Sequence, residues 1–199
     1  GGVIDVPKYY SLGYLEQHIN FTQPTILEEA ALGLPQSQKD ALYKVETILF
    51  GLGLEESQMD LNPNTLSGGY QLRLHLAKVL VSDPDCLLLD EPTNYLDIVS
   101  IRWLERFLAA WKKELVLITH DRDFMDLVTS HTIGIHRHKV NKAKGGTEEY
   151  FQKVLEQEEI HERSRVKLDK KKEHVENFIR RFGAKATKAK QAQSKMKNL

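Results

Sequence analysis

Apolar and polar residues alternate with a period near two along residues 2–17, where Val3, Ile4 and Val6 are followed by Tyr10, Leu12, Tyr14 and Leu15. That spacing predicts two short strands divided at Pro7-Lys8. The period then lengthens. Thr25-Ile26-Leu27-Glu28 has the form of a capping box and predicts a short helix to about Leu32. Ala41, Leu42, Val45, Ile48 and Leu49 form the stripe of a second helix, capped by Ser37 and ended by Gly51 and Gly53. A third helix is expected from Ser67 to Val81, stopped by Asp83-Pro84. Cys86-Leu87-Leu88-Leu89-Asp90 is too short for a typical helix and apolar on both faces, which fits a central parallel strand. The stripe Ile98, Ile101, Leu104, Leu108 and Trp111 marks an amphipathic helix, and Leu115-Val116-Leu117-Ile118-Thr119 a second fully buried strand. Strand and helix alternating through short joints is the pattern of an α/β fold with a mainly parallel sheet and right-handed crossovers.

After Gly145-Gly146 the pattern changes, which divides the chain into 1–144 and 145–199. From Thr147 to about Arg181 the residues are mostly charged; Ala184 to Leu199 is rich in Ala, Lys and Gln. These are strong helix formers, so two long helices with a break near Gly183 are expected. Charge sharpens the division. The net charge of zero conceals 13 Lys and Arg against 3 Asp and Glu between Arg163 and Leu199, a local +10 balanced by −10 elsewhere. A rod of Lys and Arg neutralises phosphates at many points in a sequence-independent, salt-sensitive manner. Only Phe178 and Phe182 are interleaved with the basic residues there, so base stacking contributes little. The alternative is a solvated helical spacer.

With 41% hydrophobic residues the chain can bury a core. No apolar run approaches the ~18 residues of a membrane span, and the N-terminal residues lack the form of a secretory signal. Cys86, the single cysteine, reads as a small buried hydrophobe. A cytoplasmic location with no membrane partner is the expectation.

Three short segments carry candidate chemistry. Leu66-Ser67-Gly68-Gly69-Tyr70-Gln71 places a Ser cap and two glycines at the head of a helix, where unpaired amides and the positive dipole end suit an anion. Alone, the same triplet also reads as a plain helix cap. Asp90-Glu91 ends a buried strand in two acids, one suited to a Mg²⁺ site and the other to orienting water. Both could equally solvate a strand end, although Pro92-Thr93-Asn94 and Asp97 add polar groups to the same turn. Thr119-His120-Asp121 ends the next strand, from which His120 could reach a terminal phosphate. His136-Arg137-His138 has no Cys or acid beside it and reads as a surface turn. No Gly-Lys pair occurs, so the phosphate loop G-x-x-x-x-G-K-[ST] is missing.

In order and spacing these segments resemble the ATP-binding cassette ATPases. Leu66 to Gln71 is similar to the signature motif, Leu87-Leu88-Leu89-Asp90-Glu91 to Walker B, Tyr95-Leu96-Asp97 to the D-loop, and His120 to the switch histidine. Gln17, after Leu12-Gly13-Tyr14-Leu15-Glu16, matches the Q-loop glutamine. Asp90-Glu91-Pro92-Thr93-Asn94-Tyr95-Leu96-Asp97, Thr119-His120-Asp121-Arg122-Asp123-Phe124 and Gly145-Gly146-Thr147-Glu148-Glu149-Tyr150-Phe151 narrow the resemblance to the ABC-F class, which has no membrane domains. The segment from Arg180 to Lys195 resembles that class's helical linker between its two ATPase domains.

The resemblance implies a partial ATPase domain followed by most of the linker, with Walker A upstream of Gly1. It implies ATP and Mg²⁺ as ligands: Glu91 polarises the attacking water, Asp90 holds Mg²⁺ through water, and His120 stabilises charge on the γ-phosphate. Gln17 and Asp97 belong to the same ATP and Mg²⁺ site. Ser67, Gly68, Gly69 and Gln71 would contact ATP bound to the second ABC domain of the polypeptide. Arg180, Arg181, Lys185, Lys188 and Lys195 would contact tRNA or ribosomal RNA. With only 48 residues between Gln17 and Leu66, any inserted arm is short. Two rival readings are a transporter's nucleotide-binding subunit, which would not be expected to carry the basic tail, and a non-catalytic RNA-binding fragment. Without a phosphate loop, these 199 residues alone should bind ATP weakly and hydrolyse none. An apolar strand face should also lie uncovered.

Overall fold

The computed structural model describes residues 2–3, 5–15 and 20–196, with side chains described through His174 and at Asn177. The chain divides into two compact units, Gly1–Thr147 and Glu148–Leu199. In the first, β1 (Leu12–Tyr14), β2 (Cys86–Asp90) and β3 (Glu114–Ile118) form a parallel sheet in the order β1-β2-β3. Pairing of Gly13 with Leu87 and of Leu87 with Leu115 sets the register. The helices α1 (Ile26–Ala31), α2 (Leu42–Gly51), α3 (Gly68–Val81) and α4 (Ile98–Ala109) supply most of the core, and α5 (Arg122–Val128) adds the buried Phe124. A hairpin of β4 (His131–His136) and β5 (Lys139–Lys144) follows. Its turn has positive φ at Arg137 and His138, the form that matches the twist of paired strands.

The core is built from one face of the sheet. Leu87 and Leu89 are buried among Ile26, Leu49, Leu74, Leu80, Leu104 and Phe124. The opposite face is apolar and uncovered. Leu12, Tyr14, Val116 and Ile118 are all exposed there, whereas Cys86 on the central strand is buried. The uncovered surface therefore lies on the flanking strands, and β3 is not fully buried as its run of apolar residues suggests. At the register level, each strand shows its helix-packed residues on alternate positions.

Some expected elements differ. Residues 5–7 form no strand, because no neighbouring strand among the described residues supplies a ladder; the chain instead turns at Lys8-Tyr9, where Tyr10 N–H donates to Pro7 O. Ser37 lies in a short 3-10 turn, Gln36–Gln38, and Ala41 stands at the head of α2. Trp103 and Trp111 pack with Phe107 between them, at centroid separations of 5.0 and 5.9 Å.

The second unit is one helix, α6 (Thr147–Met196), of 50 residues and about 75 Å. It continues through Phe182-Gly183, so the expected break is absent. A single glycine costs a helix only about 1 kcal/mol against alanine, and the flanking Arg, Ala and Lys are strong helix formers. Among the described residues no helix is long and apolar enough to cross a membrane.

Candidate functional site

The two acid-bearing strand ends meet as neighbours. Because β2 and β3 are parallel and in register, Asp90 pairs with Ile118, and the chain leaves both strands on the same edge of the sheet. Glu91 N–H donates to Ile118 O at 2.8 Å, which holds the residue just beyond the strand. Its φ of 47° lies in the left-handed region, sparsely used by residues with a long side chain. Thr119 Oγ1 sits 3.4 Å from Glu91 Oε2, and His120 Nε2 sits 3.4 Å from Glu91 Oε1. The Glu91 side chain is 21% exposed and that of His120 fully exposed. A sheltered carboxylate and an exposed imidazole thus meet at one corner, and the exposed Asp90 is the last residue of the strand that leads into it. Thr119 also accepts from Asp121 N–H, and Asp121 caps α5 through Phe124 N–H, so the His120 turn is fastened on both sides.

The glycine-headed helix begins where the sequence places it. Ser67 is its N-cap residue, but the hydroxyl makes no capping bond. A Cβ built at Gly68 would meet nothing within 4 Å, and one at Gly69 only Tyr95, at 3.9 Å. Neither glycine has a positive φ. Packing within the chain therefore gives no reason for glycine at either position, although each weakens a helix. Close approach by something outside the chain does give one. Gln71 behaves otherwise: its Nε2 donates to Leu66 O at 3.1 Å, so the amide braces the loop rather than reaching outward.

Asp97 is also engaged within the chain. Its Oδ1 accepts from Val99 and Ser100 N–H, capping α4, and its Oδ2 is 3.0 Å from Arg73 Nη1. The Ser100 amide holds the carboxyl below the usual range; burial opposes this and the Arg73 guanidinium adds to it. Both oxygens of Asp97 are thus engaged within the chain, while Asp90 is exposed. Gln17 lies outside the described residues. Arg180, Arg181, Lys185, Lys188 and Lys195 lie on α6, and their side chains are outside the described residues.

Two residues that sequence reasoning missed organise the surroundings. Arg73 is buried within α3, where an arginine on an otherwise periodic helix reads as surface charge. Glu29 is fully buried on α1 beside the exposed Glu28, and nothing in the adjacent pair distinguishes them. Glu29 Oε2 accepts from Thr22 N–H at 2.8 Å and Gln23 N–H at 2.9 Å, while Oε1 is 2.6 Å from Lys78 Nζ. Burial pushes the Glu29 carboxyl up, but Lys78 and the two amides outweigh it and leave it below its ordinary value. This carboxylate fastens residues 22–23 to the C-terminal half of α3.

Removing it should be costly. Glu29→Ala is expected to destabilise the domain by about 3 kcal/mol, since two backbone amides lose their buried acceptor and Lys78 its partner. The depressed value makes this contribution complete above the unfolded-state glutamate range and lost as pH falls through the folded value. Urea unfolding of the complete protein should therefore show the gap between the native protein and Glu29→Gln narrowing as pH is lowered. A pH-independent gap would show that the charge of Glu29 contributes nothing.

Comparison with known proteins places this geometry. Two family models, both described as ABC transporter, match residues 9–94 and 133–199. The probable ATP-binding protein YheS of Haemophilus influenzae is 39% identical over 160 residues, which cover 78% of this chain and 24% of that protein. ATP-binding cassette sub-family F member 3 of Rattus norvegicus is 33% identical over 179 residues, covering 89% of this chain and 25% of that protein. This chain thus spans about a quarter of those relatives' length. Among solved structures, the dimeric post-hydrolysis ATP-binding cassette MJ0796 bound to ADP and Pi superposes with a TM-score of 0.53 at 25% identity, covering 68% of this chain and 63% of its own. The archaeal ribosome recycling factor aABCE1, solved with the ribosomal stalk protein aP1, shares the fold with a TM-score of 0.58 at 23% identity, covering 76% of this chain and 31% of that one.

Proposed function

Because the chain belongs to the ABC-F class of ATP-binding cassette proteins, we propose that it is part of an ATPase that acts on the ribosome in the cytoplasm. The observation that carries the catalytic half is the corner where Glu91 meets Thr119 and His120 at the ends of adjacent parallel strands. In this reading Glu91 draws a proton from the water that attacks the γ-phosphate, and His120 donates to the phosphate as charge develops there. Asp90 would hold Mg²⁺ through water; the ion would supply charge neutralisation at the phosphates. Ser67, Gly68 and Gly69 would approach a different ATP, bound to a second ABC domain, through the free amides at the head of α3. ATP then closes two domains on each other, and hydrolysis separates them.

The ribosomal half rests on α6. From Arg163 to Met196, 12 Lys and Arg against 3 Asp and Glu, a charge of +9, are strung along one helix, and Arg181, Lys188 and Lys195 recur every seven residues. A long cationic rod suits the phosphates of ribosomal RNA or tRNA better than a compact ligand. The test is co-sedimentation of the complete protein with ribosomes across a salt series. Replacing Arg180, Arg181, Lys185, Lys188 and Lys195 by Ala should abolish pelleting near physiological salt and flatten the logarithmic salt dependence by about 3.5 to 4.5. Unchanged pelleting, or pelleting with membranes instead, would refute the ribosomal reading.

A further inference from the structure

The Arg73 guanidinium touches four residues from three stretches of the chain while 10% exposed. Its Nε donates to Tyr95 O at 2.8 Å, and its Nη1 to Leu52 O at 3.1 Å and Asp97 Oδ2 at 3.0 Å. The guanidinium carbon also lies 4.7 Å from the centre of the Tyr70 ring, one turn earlier on α3. A planar fork of donors serving several acceptors at once is a task to which arginine is suited and lysine is not. Gly53 forms the floor beneath it. With φ of 81°, a Cβ there would stand 2.6 Å from Arg73 Nη1, 2.9 Å from Ser100 Oγ and 3.3 Å from Asp97 Oδ2. Both the backbone conformation and the space therefore demand glycine at the end of α2.

The connections lead to both candidate groups. Tyr95 follows Glu91 by four residues, and its side chain lies beside Gly69 while its carbonyl is held by Arg73. Asp97 carries the other end of the bridge into the first turn of α4. We propose that Arg73 is a positioning residue that locks the glycine loop at the head of α3, the turn after Glu91 and the end of α2 into one body. The loop and the acid corner then take up their places together, and neither can be set independently. This coupling rests on the proposed ATPase reading for its consequence in turnover, but its mechanical part stands apart from any activity.

Two variants separate the bridge from simple unfolding. Arg73→Lys keeps the charge and loses the fork. Asp97→Asn keeps the cap on α4, since Asn caps as well as Asp, and weakens only the ion pair. In the complete protein both should lower kcat for ATP by about tenfold or more while KM changes less than about twofold, as expected for misplacement without lost binding. Amide hydrogen exchange should quicken together at residues 67–71 and 93–97, by about tenfold. A turnover equal to the native protein's in both variants, or exchange that quickens in one segment alone, would overturn the proposal. If the native protein hydrolyses no ATP, the ATPase reading fails, and the exchange pattern still decides whether Arg73 couples the two segments.

Discussion

Replacing Glu91 by Gln in the complete protein is expected to slow ATP hydrolysis by about 10²–10⁴-fold, the range seen when a general base is removed. The substitution is nearly isosteric. The amide oxygen can still meet Thr119 Oγ1 or His120, each 3.4 Å from the carboxylate, so the local geometry should persist. The left-handed backbone at this residue is no harder for Gln than for Glu. On the proposed mechanism, what disappears is the negative charge that draws a proton from the attacking water. ATP affinity should therefore be retained or increased, and ATP should accumulate uncleaved on the closed protein. Steady-state phosphate release and retention of labelled ATP after rapid filtration measure the two halves. Turnover within about twofold of the native rate would remove Glu91 from the mechanism. Thr119→Val offers a graded companion, with a smaller loss because the hydroxyl supports the carboxylate without replacing it.

The bounds of β2 and α3 were legible because local signals agreed with the tertiary fold. A Ser cap, paired glycines and the Asp83-Pro84 stop define α3, and five apolar residues ending in acids define β2. Burial was less legible. Val116 and Ile118 belong to a run as apolar as that of β2, yet they are exposed, since burial depends on what lies against each face rather than on the residue. The corner of Glu91 and His120 followed from motif order together with parallel strand logic. The partners of Arg73, Asp97 and Glu29 did not. Arg73 and Glu29 read locally as ordinary helix charges and Asp97 as an acid of the turn after Glu91, and only contacts 21 to 49 residues away in sequence reveal these bridges. Gly183 differs in the opposite direction: a helix-weakening residue lies inside a continuous helix.

The second large effect concerns the head of α3. Gly68→Asp places a carboxylate where a built Cβ meets nothing, in the first turn of a helix, where negative charge stabilises by about 0.3–1 kcal/mol. The fold should thus tolerate or welcome the change. A phosphate approaching the same amides would instead meet a negative side chain and lose a donor surface shaped for it. Loss of one such electrostatic contact to a transition state costs about 10²–10³-fold. On the proposed reading the loop serves the nucleotide of the second domain, so ATP binding at this domain's own acid corner should be little affected, while turnover falls because hydrolysis needs the two domains closed on each other. Stability and turnover must therefore move apart, which a purely structural helix cap would not allow. The paired thermal midpoint and ATP turnover of the complete Gly68→Asp protein form the most direct measurement. A midpoint equal to or above native with turnover about 100-fold lower is the expected result, whereas turnover within about twofold of native would contradict phosphate recognition at this loop.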